Sequence, residues 1–128
     1  MTHTILIVDD DDIVVFIHKM IIRECNISID PISFDNGSKA FDYLNNNHRE
    51  FEKCLILLDI QMPVMNGWQL LDILEEAPFR EKLAVVLVTS SIDSLDRKKS
   101  EDYPLVCGFI SKPLTMENCS EIKSSLEI

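Results

Sequence analysis

Asp9, Asp10, Asp59, Thr89 and Lys112 are scattered along a 128-residue chain, yet each stands where a short apolar run ends. "ILIV" precedes Asp9-Asp10, "LILL" precedes Asp59, "VVLV" precedes Thr89-Ser90, and "CGFIS" precedes Lys112-Pro113. Brought together, these side chains would supply three carboxylates, a hydroxyl and an ammonium. Three carboxylates repel one another unless a cation joins them. Hard oxygen donors of this kind suit Mg²⁺ (or Mn²⁺), which keeps part of its water shell and shares its sites with phosphate. Lysine is a point charge suited to a phosphate oxygen, and a threonine hydroxyl can donate to a phosphoryl oxygen. These are the parts for phosphoryl transfer onto an aspartate. Asp59 would attack in line, while the cation and the ammonium stabilise charge on the equatorial oxygens.

No member of this set is diagnostic alone. An aspartate after an apolar run commonly caps a turn, and "DDDD" at 9–12 commonly caps a helix or faces solvent. A lone lysine is commonly exposed. The chemistry therefore depends on elements that deliver all of them to one place. Short, β-branched, non-alternating runs predict strands at 4–8, 31–34, 54–58, 84–89 and 106–111. Helices are predicted between them, at 12–25, 38–47, 66–77, 93–102 and 115–128. In the first, Ile13, Phe16, Ile17, Met20 and Ile21 share one face, and Asp11 or Asp12 caps the start. The second turns Ala40, Phe41 and Leu44 inward. The third is opened by Asn66, with Gly67 easing tight backbone geometry, and stops before Pro78. The fourth is polar and weakly periodic. The last turns Met116, Cys119, Ile122 and Leu126 inward.

Strands apolar on both faces and alternating with helices imply a parallel sheet covered on both sides. Right-handed crossovers and this length predict an open, doubly wound (βα)5 sandwich of flavodoxin-like type, strand order 2-1-3-4-5. Ligands in such sheets bind beyond the carboxyl ends of the strands, at the switch point. That rim is where Asp9, Asp10, Asp59, Thr89 and Lys112 would stand.

The net charge of −10 argues against nucleic acid, a polyanion, and against anionic membrane surfaces. It favours cations and basic protein partners. No apolar run approaches the roughly 20 residues of a membrane span. The N-terminus lacks the features of a signal peptide, so the expected compartment is the cytoplasm. Four cysteines, 29, 53 and 12 residues apart, form no CxxC pair and have no histidine at metal-ligand spacing. They are expected as buried, reduced thiols. His3, His18 and His48 are expected on the surface or on helix faces.

Four blocks, "ILIVDDDD", "LILLDIQMPVMNGWQLL", "VVLVTSS" and "GFISKPLT", stand in register, with 50 residues from Asp9 to Asp59, 30 to Thr89 and 23 more to Lys112. In this the chain resembles the receiver domain of two-component response regulators, from Thr4 to its end. The resemblance implies that Asp59 is the phosphoacceptor and that Asp9 and Asp10 hold the metal. Asp10 would be the more direct ligand, Asp9 would act partly through water, and the backbone carbonyl of Gln61 would be a further ligand. Thr89 and Lys112 would contact the phosphoryl group. Phe109 stands at the aromatic switch position, and small Ser90 leaves access to the phosphoryl group. Lys112–Pro113 is a bond that is often cis in this family.

A sensor histidine kinase or a phosphotransfer protein would be the donor. A downstream protein would read the surface of the fourth helix, fifth strand and fifth helix. The resemblance further implies a signalling switch with no separate substrate turnover, acting as a monomer or a weak phosphorylation-dependent dimer. The chain reads as one receiver domain over 1–128 with no output domain, of bacterial type. Some features depart from the family. Phe109 lacks a tyrosine hydroxyl. "KKSEDYPLVCGF" replaces the usual small-residue approach to strand five. Pro104 should stop the fourth helix by about Asp102. Gln61 and Ser91 occupy positions that tune dephosphorylation. Two other readings stand beside this one: a pseudo-receiver that binds partners without phosphate turnover, and an aspartyl-nucleophile phosphatase. The second is opposed by Gln61, which stands where such enzymes carry an acid/base aspartate.

Overall fold

A computed structural model of the chain describes residues 3–27, 30–90 and 94–125. Five strands form: β1 (His3–Val8), β2 (Ile32–Phe34), β3 (Lys53–Leu58), β4 (Leu83–Thr89) and β5 (Val106–Ser111). Five α-helices alternate with them: α1 (Asp12–Glu24), α2 (Gly37–Asn47), α3 (Gly67–Leu74), α4 (Ser94–Ser100) and α5 (Met116–Ser125). All strand pairs are parallel, in the order β2-β1-β3-β4-β5. This is the flavodoxin-like α/β arrangement expected from the alternation of runs and helices.

The period of two in each strand divides the core into two layers. Leu6, Val8, Ile56, Leu58, Val85 and Leu87 face one side, against Ala40 and Leu44 of α2 and Leu70, Leu71 and Leu74 of α3. Ile5, Ile7, Leu55, Leu57, Val86 and Val88 face the other, against Ile22 of α1 and Cys119 and Ile122 of α5. The central strands are therefore apolar at consecutive positions through their middles, 5–8, 54–58 and 83–88, because both faces are covered. The edge strands β2 and β5 are only half-buried. Two short 3-10 turns, His48–Glu50 and Arg80–Lys82, lead into β3 and β4.

Caps fix where the helices begin and end. The Asp11 carboxylate accepts from the N–H groups of Ile13 and Val14. Asn66 and Gln69 form a reciprocal capping box at α3. At the end of α1, Asn26 takes φ 63°. Its N–H donates to Arg23 O and that of Ile27 to Ile22 O, a Schellman closure. Helix α4 ends at Ser100, before Pro104, as the ring's restriction on its neighbours requires. Asp93 and Leu126, assigned above to helices four and five, lie outside the described residues, as does Ser91.

Several expectations are corrected. On α1, Ile13, Phe16 and Met20 are exposed, and the fully buried positions are His18 and Ile22. Residues 13–17 are all apolar, so that stretch has no periodic contrast to define a face; docking follows Val15, His18, Ile22 and Cys25 instead. His18 lies on a helix face, one of the two alternatives expected for it, but that face is buried in the core. Met116 is exposed at the first turn of α5. Cys25 and Cys119 are joined as a disulfide, and Cys107 is exposed, which leaves Cys54 as the buried free thiol. Helix α3 ends at Leu74, three residues short of the predicted Ala77. Among the described residues, no helix is long and apolar enough to cross a membrane.

Candidate functional site

The sheet's hydrogen bonding runs one residue past the strands, and this sets the site. Asp9 N–H donates to Phe34 O (3.0 Å), and Asp59 N–H donates to Val8 O (2.9 Å). The two aspartates are thereby held side by side at the carboxyl ends of β1 and β3. Across the switch, Lys112 N–H donates to Thr89 O (2.9 Å) and places the lysine beside the end of β4. Asp9, Asp59 and Thr89 are almost fully buried, whereas Asp10 is exposed at the mouth.

The side chains converge. Asp9, Asp10 and Asp59 each present a carboxylate oxygen, and these oxygens lie within 4.8 Å of one another. Lys112 Nζ is 2.7 Å from Asp9 Oδ2 and 3.3 Å from Asp59 Oδ2. The other Asp9 oxygen accepts from Asp11 N–H (2.9 Å), and Asp59 Oδ1 accepts a long bond from Gln61 N–H (3.4 Å). Burial pushes the Asp59 carboxyl above its ordinary range, and the neighbouring Asp9 adds to this. Lys112 and the Gln61 N–H oppose the shift without cancelling it. Burial works against the Lys112 charge, but its bond to Asp9 and the field of Asp59 win, so its ammonium is stabilised.

Three carboxylates and one ammonium leave two uncompensated negative charges. A divalent cation with a preference for oxygen balances them, so the donor set fits Mg²⁺. Beside the triad opens a cavity of ≈500 Å³ lined by Asp10, Gln61, Met62, Asn66, Trp68 and Asp96, among others. It has room for a phosphoryl donor. Asp96 was not anticipated, since α4 offered no pattern pointing to this rim. Ser90 is exposed beside Thr89. Phe109 lies on β5, half-buried, with the Arg97 guanidinium 4.9 Å from its ring centroid.

Gly67 matters here through proximity. Its N–H donates to Ile60 O (2.8 Å). A Cβ on it would fall 2.6 Å from the carbonyl oxygen of Asp59. Its φ is not positive, so close approach, not conformational freedom, explains the residue. The second residue missed from sequence is His18. Its Nε2 accepts from Leu114 N–H (3.2 Å), two positions beyond Lys112. The stripe Val15–His18–Ile22–Cys25 at helical spacing was the available signal, masked by the polar type of histidine.

The family model described as "Response regulator receiver domain" matches residues 5–123. The chain belongs to that family. A receiver's fold and acidic pocket are thus both present, and the family is one of signalling modules rather than turnover enzymes. Among solved structures, a two-component response regulator from Cytophaga hutchinsonii is 32% identical, with TM-score 0.88, covering 98% of this chain and 96% of that one. A two-component response regulator from Legionella pneumophila is 25% identical, with TM-score 0.83, over 98% of each chain. Two-component response regulator 24 of Arabidopsis thaliana is 32% identical over 96% of this chain and 83% of its own length. Other receivers are parts of far larger proteins. The chain spans 14% of the cyclic-nucleotide phosphodiesterase regA of Dictyostelium discoideum and 12% of the sensor kinase/phosphatase LuxN of Vibrio campbellii. Such receivers occur in both bacteria and eukaryotes, so the family alone does not assign the bacterial source expected above.

Proposed function

We propose that this receiver is a phosphoacceptor switch in which Asp59 takes a phosphoryl group from a phosphohistidine. The donor is a sensor histidine kinase or a phosphotransfer protein. The observation that carries this reading is the meeting of Asp9, Asp10 and Asp59 within 4.8 Å, with Lys112 Nζ against two of them. Mg²⁺ (or Mn²⁺), held by Asp9, Asp10, Asp59 and the Gln61 backbone carbonyl, would supply positive charge for the oxygens of the transferring group.

The chain's own residues do the rest. Asp59 is held by its backbone bond to Val8, next to Ile60 and Gln61, which line the cavity through which a donor would come. It attacks phosphorus, the bond from phosphorus to the donor nitrogen breaks, and an acyl phosphate forms. Lys112 releases Asp59 as a partner and takes the phosphoryl oxygens instead. Thr89 donates its hydroxyl to the same group. Phe109 on the neighbouring strand follows Thr89, and the surface of α4, β5 and α5 changes for a downstream protein to read. The chain works as a monomer or as a weak dimer formed on phosphorylation.

Incubation with phosphoramidate and Mg²⁺ tests the reading. Wild-type protein should gain one phosphoryl group by intact mass, and Asp59→Asn should gain none. Stoichiometric labelling of Asp59→Asn would remove Asp59 from its role. Trp68, the one tryptophan, lines the cavity and reports the metal. Its emission should fall as Mg²⁺ is added and remain flat in Asp10→Asn at the same concentrations.

A further inference from the structure

The turn that carries Lys112 is anchored at two points. One is the Lys112 N–H bond to Thr89 O, from the neighbouring strand. Pro113 has no N–H and offers nothing. The next N–H is that of Leu114, a residue 1% exposed, and its acceptor is a side chain 96 positions away, Nε2 of His18. Immediately afterwards Thr115 and Asn118 exchange capping bonds that start α5. His18 is itself 1% exposed on the inner face of α1. We propose that His18 is a positioning residue, which by accepting the Leu114 N–H holds the turn that sets Lys112 against Asp9 and Asp59. The proposal rests on the phosphoacceptor reading of Asp59.

The chemistry of the contact is specific. A nitrogen that accepts cannot also carry a proton, so His18 must be neutral with its hydrogen on Nδ1. Its surroundings agree: burial disfavours the imidazolium, the carboxylate of Asp9 works in the opposite sense, and the Lys112 ammonium reinforces burial. An aliphatic residue of similar size could fill the same space. It would leave the buried Leu114 N–H without an acceptor, and the turn would have to shift to find one. Lys112 lies on that turn, with Nζ 2.7 Å from Asp9 and 3.3 Å from Asp59. A shift of the backbone is therefore felt at the reacting carboxylate. A group that only fills the core would not act through Lys112, and this difference can be measured.

Two experiments decide the matter. Long-range ¹H–¹⁵N spectra of the full chain at neutral pH should show His18 with a bare Nε2 and a protonated Nδ1, and a Leu114 amide that exchanges slowly with solvent. A proton on Nε2 would overturn the proposal. Labelling rates with phosphoramidate and Mg²⁺ are then compared for wild type, His18→Gln, His18→Leu, Lys112→Ala and the double variant His18→Leu/Lys112→Ala. His18→Leu should be slower by about ten- to a hundredfold, the scale of a small misplacement of a reacting group. His18→Gln, whose amide oxygen reaches the position of Nε2, should recover most of the rate. With Lys112→Ala already present, His18→Leu should change the rate by less than about twofold, since coupled residues do not add. Equal slowing with and without Lys112, or a His18→Leu rate like wild type, would overturn the proposal. Should His18→Leu not fold, His18→Asn, too short to reach Leu114, takes its place. Failure of wild type itself to label would instead overturn the phosphoacceptor reading, and this proposal with it.

Discussion

Asp59 is under two opposed demands. To act as a nucleophile it must be ionised, yet its burial and the nearby Asp9 both favour the protonated acid. The consequence for stability follows by linkage. A carboxyl whose folded pKa is raised binds protons more readily in the folded chain than in the unfolded one. Its contribution therefore worsens as pH rises from the ordinary carboxylate value through the raised one. In chelator, Asp59→Asn should melt higher than wild type at pH 7, and the gap should shrink as the solution is acidified towards pH 4. Calorimetry on the two proteins measures it, and an Asp59→Asn melting point below wild type at pH 7 would contradict the sign. Val64 offers a second residue-scale prediction. It holds φ 69° in the loop after β3 while 82% exposed. Left-handed backbone is costly for a β-branched residue, and this side chain packs against nothing that would be lost. Val64→Asn should stabilise by about 1 kcal/mol, read by urea denaturation.

At the scale of elements, the site is made by how β3 hands the chain to α3. The strand ends at Leu58, Asp59 continues the ladder by one residue, and the loop returns so that Gly67 touches the Asp59 backbone. Gly67→Ala would press a methyl group onto a carbonyl that cannot retreat from the sheet. It should cost about 1–3 kcal/mol and slow phosphoramidate labelling. An Ala variant with wild-type stability and rate would show the approach to be looser than the geometry implies. The delivery of Asp9, Asp59, Thr89 and Lys112 to one rim was legible in the sequence for a physical reason. Parallel strands all present their carboxyl ends on the same side, so polar residues closing successive apolar runs must meet there. The inner face of α1 was only partly legible, through the helical spacing of Val15, His18, Ile22 and Cys25. Ile13, Val14, Val15, Phe16 and Ile17 are uniformly apolar, so periodicity carries no information there, and the polar type of His18 hid a core position. That choice was made by a backbone N–H on a distant turn, which no local pattern encodes.

Across the whole molecule, the two layers are tied differently. On the α3 side the ties to the segment entering β5 are polar: the Tyr103 hydroxyl donates to Asp72 in an exposed bond, and Leu105 N–H donates to Glu75 in a part-buried one. On the other side α1 is bound to the turn before α5 by His18 to Leu114, and its C-terminal end to α5 by Lys123 Nζ to Cys25 O (3.1 Å) and by the Cys25–Cys119 disulfide. The disulfide closes 94 residues, most of the chain. In the chain-entropy view a loop of that length stabilises by about 4–5 kcal/mol. Such a bond persists only where the surroundings are oxidising; in a glutathione-buffered cytoplasm the same residues would stand as a dithiol and that increment would be lost. Two consequences separate. Protein purified without reductant and unfolded in guanidinium should titrate two thiols, Cys54 and Cys107, rising to four after reduction. Its melting point should fall on reduction. Labelling of Asp59 by phosphoramidate should not change, because Cys25 caps the far end of α1, roughly 20 Å of helix from the acidic rim at 1.5 Å per residue. Four thiols before reduction, or a melting point indifferent to reductant, would show that α1 and α5 are held together by packing and hydrogen bonds alone.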